Sequence, residues 1–212
     1  MTKQVMKNII WPARINEFLS YIERIDLEKT ILDCGAGGPR PPLALFHEWG
    51  YKCHGIDISQ AAVDAAILYA SEHGLLLHMK VGDMRNLPYD TASFSFVYTQ
   101  NSICHLTKED QKKAIDEMLR VLRPNGILYV DFMSTASSYC GTPDLGKDIG
   151  KHEYHFIDED GEDVLHVFFD DDEADALFKD AEIVQKLKIT RNLFIPREFN
   201  DVWYFYYVRK KQ

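Results

Sequence analysis

Hydrophobic positions along this chain keep switching between two spacings. After Pro12, which suits the first turn of a helix, Ile15, Leu19 and Ile22 recur on one helical face. Residues 30–33 form a short apolar run ending in Asp33. Two prolines then open a helical stretch over 41–50 that Gly50 closes. Residues 52–57 read as a second strand, and Ser59 caps a helix that runs through Glu72 and ends at Gly74. Residues 77–81 make a third strand. Residues 93–99 alternate aromatic and β-branched side chains as a fourth. Thr107 and Asp110 resemble a capping box for a helix reaching about Val121, stopped by the turn residues 123–126, and residues 127–133 make a fifth strand.

This alternation predicts an α/β fold: a doubly wound, mostly parallel sheet with helices on both faces. The rhythm changes after Met133. Residues 134–151 are rich in Ser, Gly and Lys and read as loop. Residues 154–157 and 164–169 flank a charged turn at 158–163 like the arms of a hairpin. A helix is expected around 173–180. Residues 184–191 and 202–209 are two further strands whose connection is too short for a parallel crossover, so they are expected to run antiparallel. The chain reads as a single domain, 1–212, with 134–169 inserted on the substrate side of the sheet.

The segment Thr30-Ile-Leu-Asp-Cys-Gly-Ala-Gly-Gly38 places glycines directly after the first strand, where a ligand can lie against bare backbone. Gly55-Ile-Asp-Ile-Ser59 ends the second strand with Asp57, a carboxylate able to accept both hydroxyls of a ribose. Together the two segments describe a nucleoside-binding crevice. Glycines, acids and Met84 taken singly also serve as turn residues, caps and core filler; it is their arrangement at successive strand ends that points to a ligand.

Across residues 28–133 the sequence resembles the class I S-adenosylmethionine-dependent methyltransferases of the small methyltransferase-domain type. The matching motifs are Leu32-Asp-Cys-Gly-Ala-Gly37, Gly55-Ile-Asp-Ile-Ser59, Gly82-Asp-Met-Arg-Asn-Leu-Pro-Tyr89 and Met118-Leu-Arg-Val-Leu-Arg-Pro-Asn-Gly-Ile-Leu-Tyr-Val130. The resemblance implies a Rossmann-like sheet with an antiparallel C-terminal strand, S-adenosyl-L-methionine as cofactor and S-adenosyl-L-homocysteine as product. It places Asp33 near the methionine amino group, Gly35 and Gly37 against the methionine and ribose, and Asp57 on the ribose hydroxyls. Asp83 would take the adenine amine and Met84 the base, with Ala36, Ile58, Gly82 and Gln100 completing the cofactor-binding set. Pro39 stands where the family often has a third glycine. Asn101 and His105, after the fourth strand, are the catalytic candidates, His105 as a base because an ordinary imidazole titrates near neutrality.

Composition narrows the partners. Apolar residues make up 46% and charged residues 27%, an ordinary globular balance. A net charge of −9 disfavours nucleic acid and leaves a small-molecule acceptor as the expected partner. A dinucleotide fingerprint starting at Gly35 would need glycine at position 40, where Arg40 stands, so a nicotinamide cofactor is disfavoured. The four cysteines are scattered and read as reduced intracellular thiols, with no zinc spacing and no metal site expected. The hairpin histidines His152 and His155 have no accompanying carboxylate spacing. Residues 1–11 lack a signal-peptide core and no run suits a membrane span, which makes the cytoplasm the expected location. The competing reading is a non-catalytic cofactor-binding module with a protein partner. Trp11, Tyr139, Tyr154 and Phe156 form either an aromatic lid or core.

Overall fold

The computed structural model describes residues 11–142, 146–157, 161, 163–193 and 199–211. The expected readings of residues 1–10, of most of the charged turn at 158–163 and of the Phe156 side chain lie outside the described residues. In chain order the elements are α1 (Ala13–Ile22), β1 (Thr30–Cys34), α2 (Leu43–Glu48), β2 (Lys52–Asp57), α3 (Gln60–His73), β3 (Leu77–Val81) and β4 (Phe94–Tyr98). They continue with α4 (Lys108–Val121), β5 (Leu122–Ser134), β6 (Lys147–Gly150), β7 (Glu153–Ile157), β8 (Asp163–Phe169), α5 (Asp171–Ala176), β9 (Glu182–Leu193) and β10 (Phe199–Arg209).

Side-chain chemistry explains the helix ends. Ser59 Oγ accepts from the Ala62 N–H and Gly74 closes α3 in the left-handed conformation. Thr107 caps α4 through the Asp110 N–H. Asp170 and Glu173 form a reciprocal capping box at α5. β1 and β4 are buried at every position, which is why both read as nearly continuous apolar runs.

The sheet runs β3-β2-β1-β4-β5, all parallel, after which β10 pairs antiparallel with β5 and β9 antiparallel with β10. This bears out the expected mostly parallel Rossmann-like sheet with an antiparallel C-terminal strand. One core cluster packs Leu32, Val97, Leu128 and Phe132 beneath Ile115 and Met118 of α4. The other packs Ile31, Phe96, Tyr98 and Tyr129 beneath Ile15 and Phe18 of α1 and Phe46 of α2. Helices therefore cover both faces.

Three local expectations are revised. Residues 123–126 do not end in a free turn: β5 begins at Leu122, directly after α4, and absorbs them as an irregularity in the pairing with β4. The expected loop 134–151 contains the four-residue strand β6, paired with β7. β8 is more than a hairpin arm, because Phe168 and Phe169 pair parallel with Met133 and Ser134 at the end of β5. The aromatic candidates are core rather than lid: Trp11 belongs to the α1-side cluster, while Tyr154 packs with Cys104, Met133 and Phe168, and Tyr139 leans on that group.

Candidate active site

The strand order reverses between β1 and β4, and ligands of open α/β sheets sit outside the carboxyl ends of the strands at such a switch point. A cleft of about 380 Å³ opens there, lined by Gly35, Ile56, Asp57, Ile58, Gly82, Asp83, Met84, Ser102, His105 and Leu106. Each of the first four strands contributes the residues at or just past its end. Among the described residues, no lysine or arginine lines it.

The glycine turn is closed on itself. The Gly35 and Ala36 N–H groups donate to the Ile56 carbonyl at 2.9 and 2.8 Å, and Gly38 N–H donates to the Ala62 carbonyl at 2.9 Å. Gly37 N–H donates to Asp57 Oδ2 at 2.9 Å. The four N–H groups that a phosphate cradle would need are thus all spent internally. The glycines are required by protein neighbours. Gly35 has φ +98° and a Cβ there would lie 2.2 Å from Ser102 Oγ; a Cβ on Gly37 would lie 2.6 Å from Asp57 Oδ2. Asp57 Oδ1 also accepts from Ser59 N–H at 2.9 Å, which fixes the carboxylate at the cleft edge.

Asp33 lies behind the turn at 3% exposure rather than in the cleft lining. Burial pushes its carboxyl up to about 7, against the Tyr98 hydroxyl beside it and with the Asp57 charge adding to the rise. Ala36 is fully buried, and Gly37 and Gln100 are partly exposed outside the lining. Gly82 is lining without being sterically required, since a Cβ would meet only ordinary contacts at 3.6 Å or beyond. Ile58, 70% exposed at the cleft, is an apolar side chain with no protein cover. Met84 packs partly against the α4-side core.

After β4 the chain turns sharply. Asn101 adopts φ +53°, and its N–H donates at 3.0 Å to Asp131 Oδ1 on β5. Asp131 is fully buried, and burial pushes its carboxyl up to about 7 while the Asn101 N–H holds it down. His105 ends a short 3₁₀ turn, Ile103–His105, and lines the cleft. Its Nδ1 lies 3.0 Å from the Leu165 carbonyl. A carbonyl only accepts, so Nδ1 carries a proton, which in the neutral ring leaves the lone pair on Nε2. The half-buried His166 ring stands 5.4 Å away, and burial together with His105 lowers its pKa to about 4. On the hairpin, His155 pairs with Asp163 at 3.0 Å, and among the described residues no group of His, Cys, Asp and Glu is arranged to hold a metal ion. All four cysteines are free thiols.

The cleft therefore gathers seven of the candidate residues, Gly35, Asp57, Ile58, Gly82, Asp83, Met84 and His105, and leaves Asp33, Ala36, Gly37, Gln100 and Asn101 behind it or beside it. Sequence reasoning missed Ile56, Ser102 and Leu106 in the lining, the Asp131 contact and the anchoring of Asp83 by Arg85. Only Ile56 and Arg85 left a signal, each lying inside one of the matching motifs.

The fold is thus an open α/β sheet with a crevice at its switch point that Asp57 and Asp83 line. Residues 32–130 match the family described as a methyltransferase domain. Norajmaline N-methyltransferase of Rauvolfia serpentina is 36% identical over 104 residues, covering 48% of this chain and 35% of that protein. The chain spans less than half the length of the curated relatives it matches. Among solved structures, an S-adenosylmethionine-dependent methyltransferase from Methanosarcina mazei superimposes with a TM-score of 0.74 at 21% identity, covering 96% of this chain and 99% of that one. The Burkholderia thailandensis 1,6-didemethyltoxoflavin-N1-methyltransferase, with S-adenosylhomocysteine bound, has a TM-score of 0.66 at 14% identity and covers 99% of this chain and 82% of that one. Residues 32–130 thus carry a match to a methyltransferase domain, and the fold is shared with S-adenosylmethionine-dependent methyltransferases; the cofactor that this fold implies is S-adenosylmethionine. The donor set fits that cofactor, a cationic nucleoside without phosphate: two carboxylates line the cleft, a third lies behind it, and the turn has no free N–H for an anion. Among the described residues no helix is long and apolar enough to cross a membrane.

Proposed function

We propose that this protein transfers the methyl group of S-adenosylmethionine to an O, N or C nucleophile of a small molecule. The observation that carries this reading is the cleft itself: an adenosine-sized space lined by Asp57 and Asp83, with no lysine or arginine among the described lining residues, beside a glycine turn whose N–H groups are all engaged. Asp57 holds the ribose hydroxyls, Asp83 the adenine amine, and Met84 and Ile58 the faces of the base. Gly35, Ala36, Gly37, Gly82 and Gln100 shape the passage, and Asp33 faces the methionine amino group. The single domain, 1–212, meets the acceptor past the carboxyl ends of β4 and β5, with 134–169 on that side.

When bound, S-adenosylmethionine would supply an electrophilic sulfonium methyl; a bond from an aligned nucleophile to that carbon would form as the carbon–sulfur bond breaks, with S-adenosylhomocysteine as the leaving group. The protein's work is alignment, which accounts for roughly 7–11 kcal/mol of barrier, and exclusion of water. A general base adds only about 10²–10⁴-fold. His105 Nε2 is the candidate base, with Asn101 shaping the loop before it. Relatives named as methyltransferases give the competing reading, a non-catalytic module, no support.

The test is calorimetric titration with S-adenosylmethionine, S-adenosylhomocysteine and NAD, followed by transfer of labelled methyl into a metabolite extract. Micromolar adenosyl binding without NAD binding, and label in a small molecule, is the expected result. Absence of adenosyl binding defeats the reading. With an acceptor in hand, unchanged turnover in His105→Ala removes His105 as the base.

A further inference from the structure

The wall of the cleft after β3 is held by one arginine. Asp83 Oδ1 accepts from the Arg85 backbone N–H at 2.8 Å and from Arg85 Nε at 3.0 Å; Oδ2 lies 2.9 Å from Nε and 2.6 Å from Nη2. The other arm of the guanidinium, Nη1, donates to Asp110 Oδ2 at 2.6 Å in the first turn of α4. Arg85 therefore ties the β3 turn to the helix that follows His105 and Leu106, so that both sides of this end of the cleft share one anchor.

The fork sets what Asp83 can still do. A carboxylate offers about four lone-pair sites, and three donors of Arg85 occupy both oxygens side-on. Capacity remains for about one further N–H. The paired guanidinium also keeps the Asp83 pKa lowered, so the group is acceptor-only and cannot donate. An exocyclic amine satisfies such a group, whereas a carbonyl in the same place sets acceptor against acceptor and leaves both unpaired.

We propose that Arg85 is a positioning residue that presents Asp83 as a one-site acceptor, and through it makes the cleft select a 6-aminopurine over a 6-oxopurine. This rests on the reading of the cleft as the adenosine site. Neither residue needs to touch the methyl group, so the effect belongs to cofactor recognition.

The experiment compares calorimetric dissociation constants for S-adenosylhomocysteine and its 6-oxopurine analogue, S-inosylhomocysteine, in wild type, Asp83→Asn, Arg85→Met and Arg85→Lys, with thermal melts as folding controls. Wild type is expected to favour the amine by about 10–100-fold, the worth of one hydrogen bond to a charged group. Asp83→Asn, whose amide can donate, narrows or inverts that ratio. Arg85→Met narrows it to under about fivefold while the protein still melts cooperatively, a change in base selectivity that a merely structural role would not produce. Arg85→Lys, a point charge without the fork, falls in between and carries the test if the methionine variant does not fold. A wild type that binds neither ligand defeats the cofactor reading itself, whereas a wild type that binds both equally, or an Asp83→Asn ratio equal to wild type, overturns the placement of adenine at Asp83. A changed ratio in Asp83→Asn with wild-type ratios in both Arg85 variants overturns the role of Arg85 alone.

Discussion

The two walls of the cleft are built by different means. On the β1–β2 side the backbone does the work: four consecutive N–H groups are consumed locally, and Gly35 and Gly37 sit where any Cβ would strike Ser102 or Asp57. On the β3–α4 side, side chains do it, through Asp83, Arg85 and Asp110, each about a quarter to a third exposed. A backbone wall has no slack, because its parts are fixed by covalent geometry and close contact. A wall of partly exposed ion pairs can re-form with altered partners, and water screens each one. The first should fail abruptly under substitution and the second by degrees.

The largest effect is expected at Gly35. Gly35→Ala forces a side chain into φ +98° and onto Ser102, at a cost of about 1–3 kcal/mol in strain alone. It should lower the melting temperature by on the order of 10 °C and weaken S-adenosylhomocysteine binding more than about 100-fold. Adding Ser102→Gly should restore part of the stability; if Gly35→Ala alone binds normally, the rigid-wall account is wrong. Next comes Asp57→Ala, which strands the Gly37 and Ser59 N–H groups and removes the ribose acceptor. Calorimetry should show a loss of about 10–100-fold, and a loss under threefold would mean that the ribose lies elsewhere.

A smaller effect concerns pH. Burial holds the Asp33 carboxyl near 7 in the folded protein, against the ordinary 3.8 of an exposed carboxyl in the unfolded chain, so between those values the folded state keeps a proton that the unfolded state has lost. Stability therefore falls as pH rises from about 4 to 7 and levels off above. Asp131 adds a parallel slope, so Asp33→Asn should remove about half of it in denaturant melts taken across that range. A cationic methionine amino group favours the ionised form, so affinity for S-adenosylhomocysteine should rise severalfold from pH 6 to 8 in wild type and stay flat in Asp33→Asn. A flat wild-type profile would separate Asp33 from the ligand. The smallest effect is expected on the ion-paired wall: Asp110→Asn should weaken binding about two- to threefold and shrink further in high salt. A tenfold loss there would erase the distinction between the two walls.

The same contrast explains what the sequence disclosed. Gly35, Asp57 and Asp83 were legible because each sits within a few residues of a strand end, and strand ends follow from the apolar runs before them. Ser102 and Leu106 became lining residues only through the 3₁₀ turn after β4, which carries no periodic signal. The contacts Arg85–Asp110 and Asn101–Asp131 join residues 25 and 30 positions apart, so they depend on strand register and helix phase rather than local pattern. β6 escaped because all four of its residues are exposed and nothing apolar alternates along it. The joining of β8 to β5 has no local sign at all, since a hairpin arm reads alike whether or not its far end meets another strand.

β10 carries a further consequence. It bonds antiparallel to β5 along the edge opposite β4, and its Tyr204, Tyr206 and Val208 fill the same core cluster as Leu32, Ile56 and Val97. During synthesis every residue of the cleft emerges well before it, and until it arrives β5 shows the ribosome and its surroundings an unpaired edge beside an incomplete interior. The parallel half is thus obliged to wait, aggregation-prone, for its antiparallel neighbour. A cell making this protein would feel a slow or interrupted arrival of β10 first as lost yield, long before any change in chemistry.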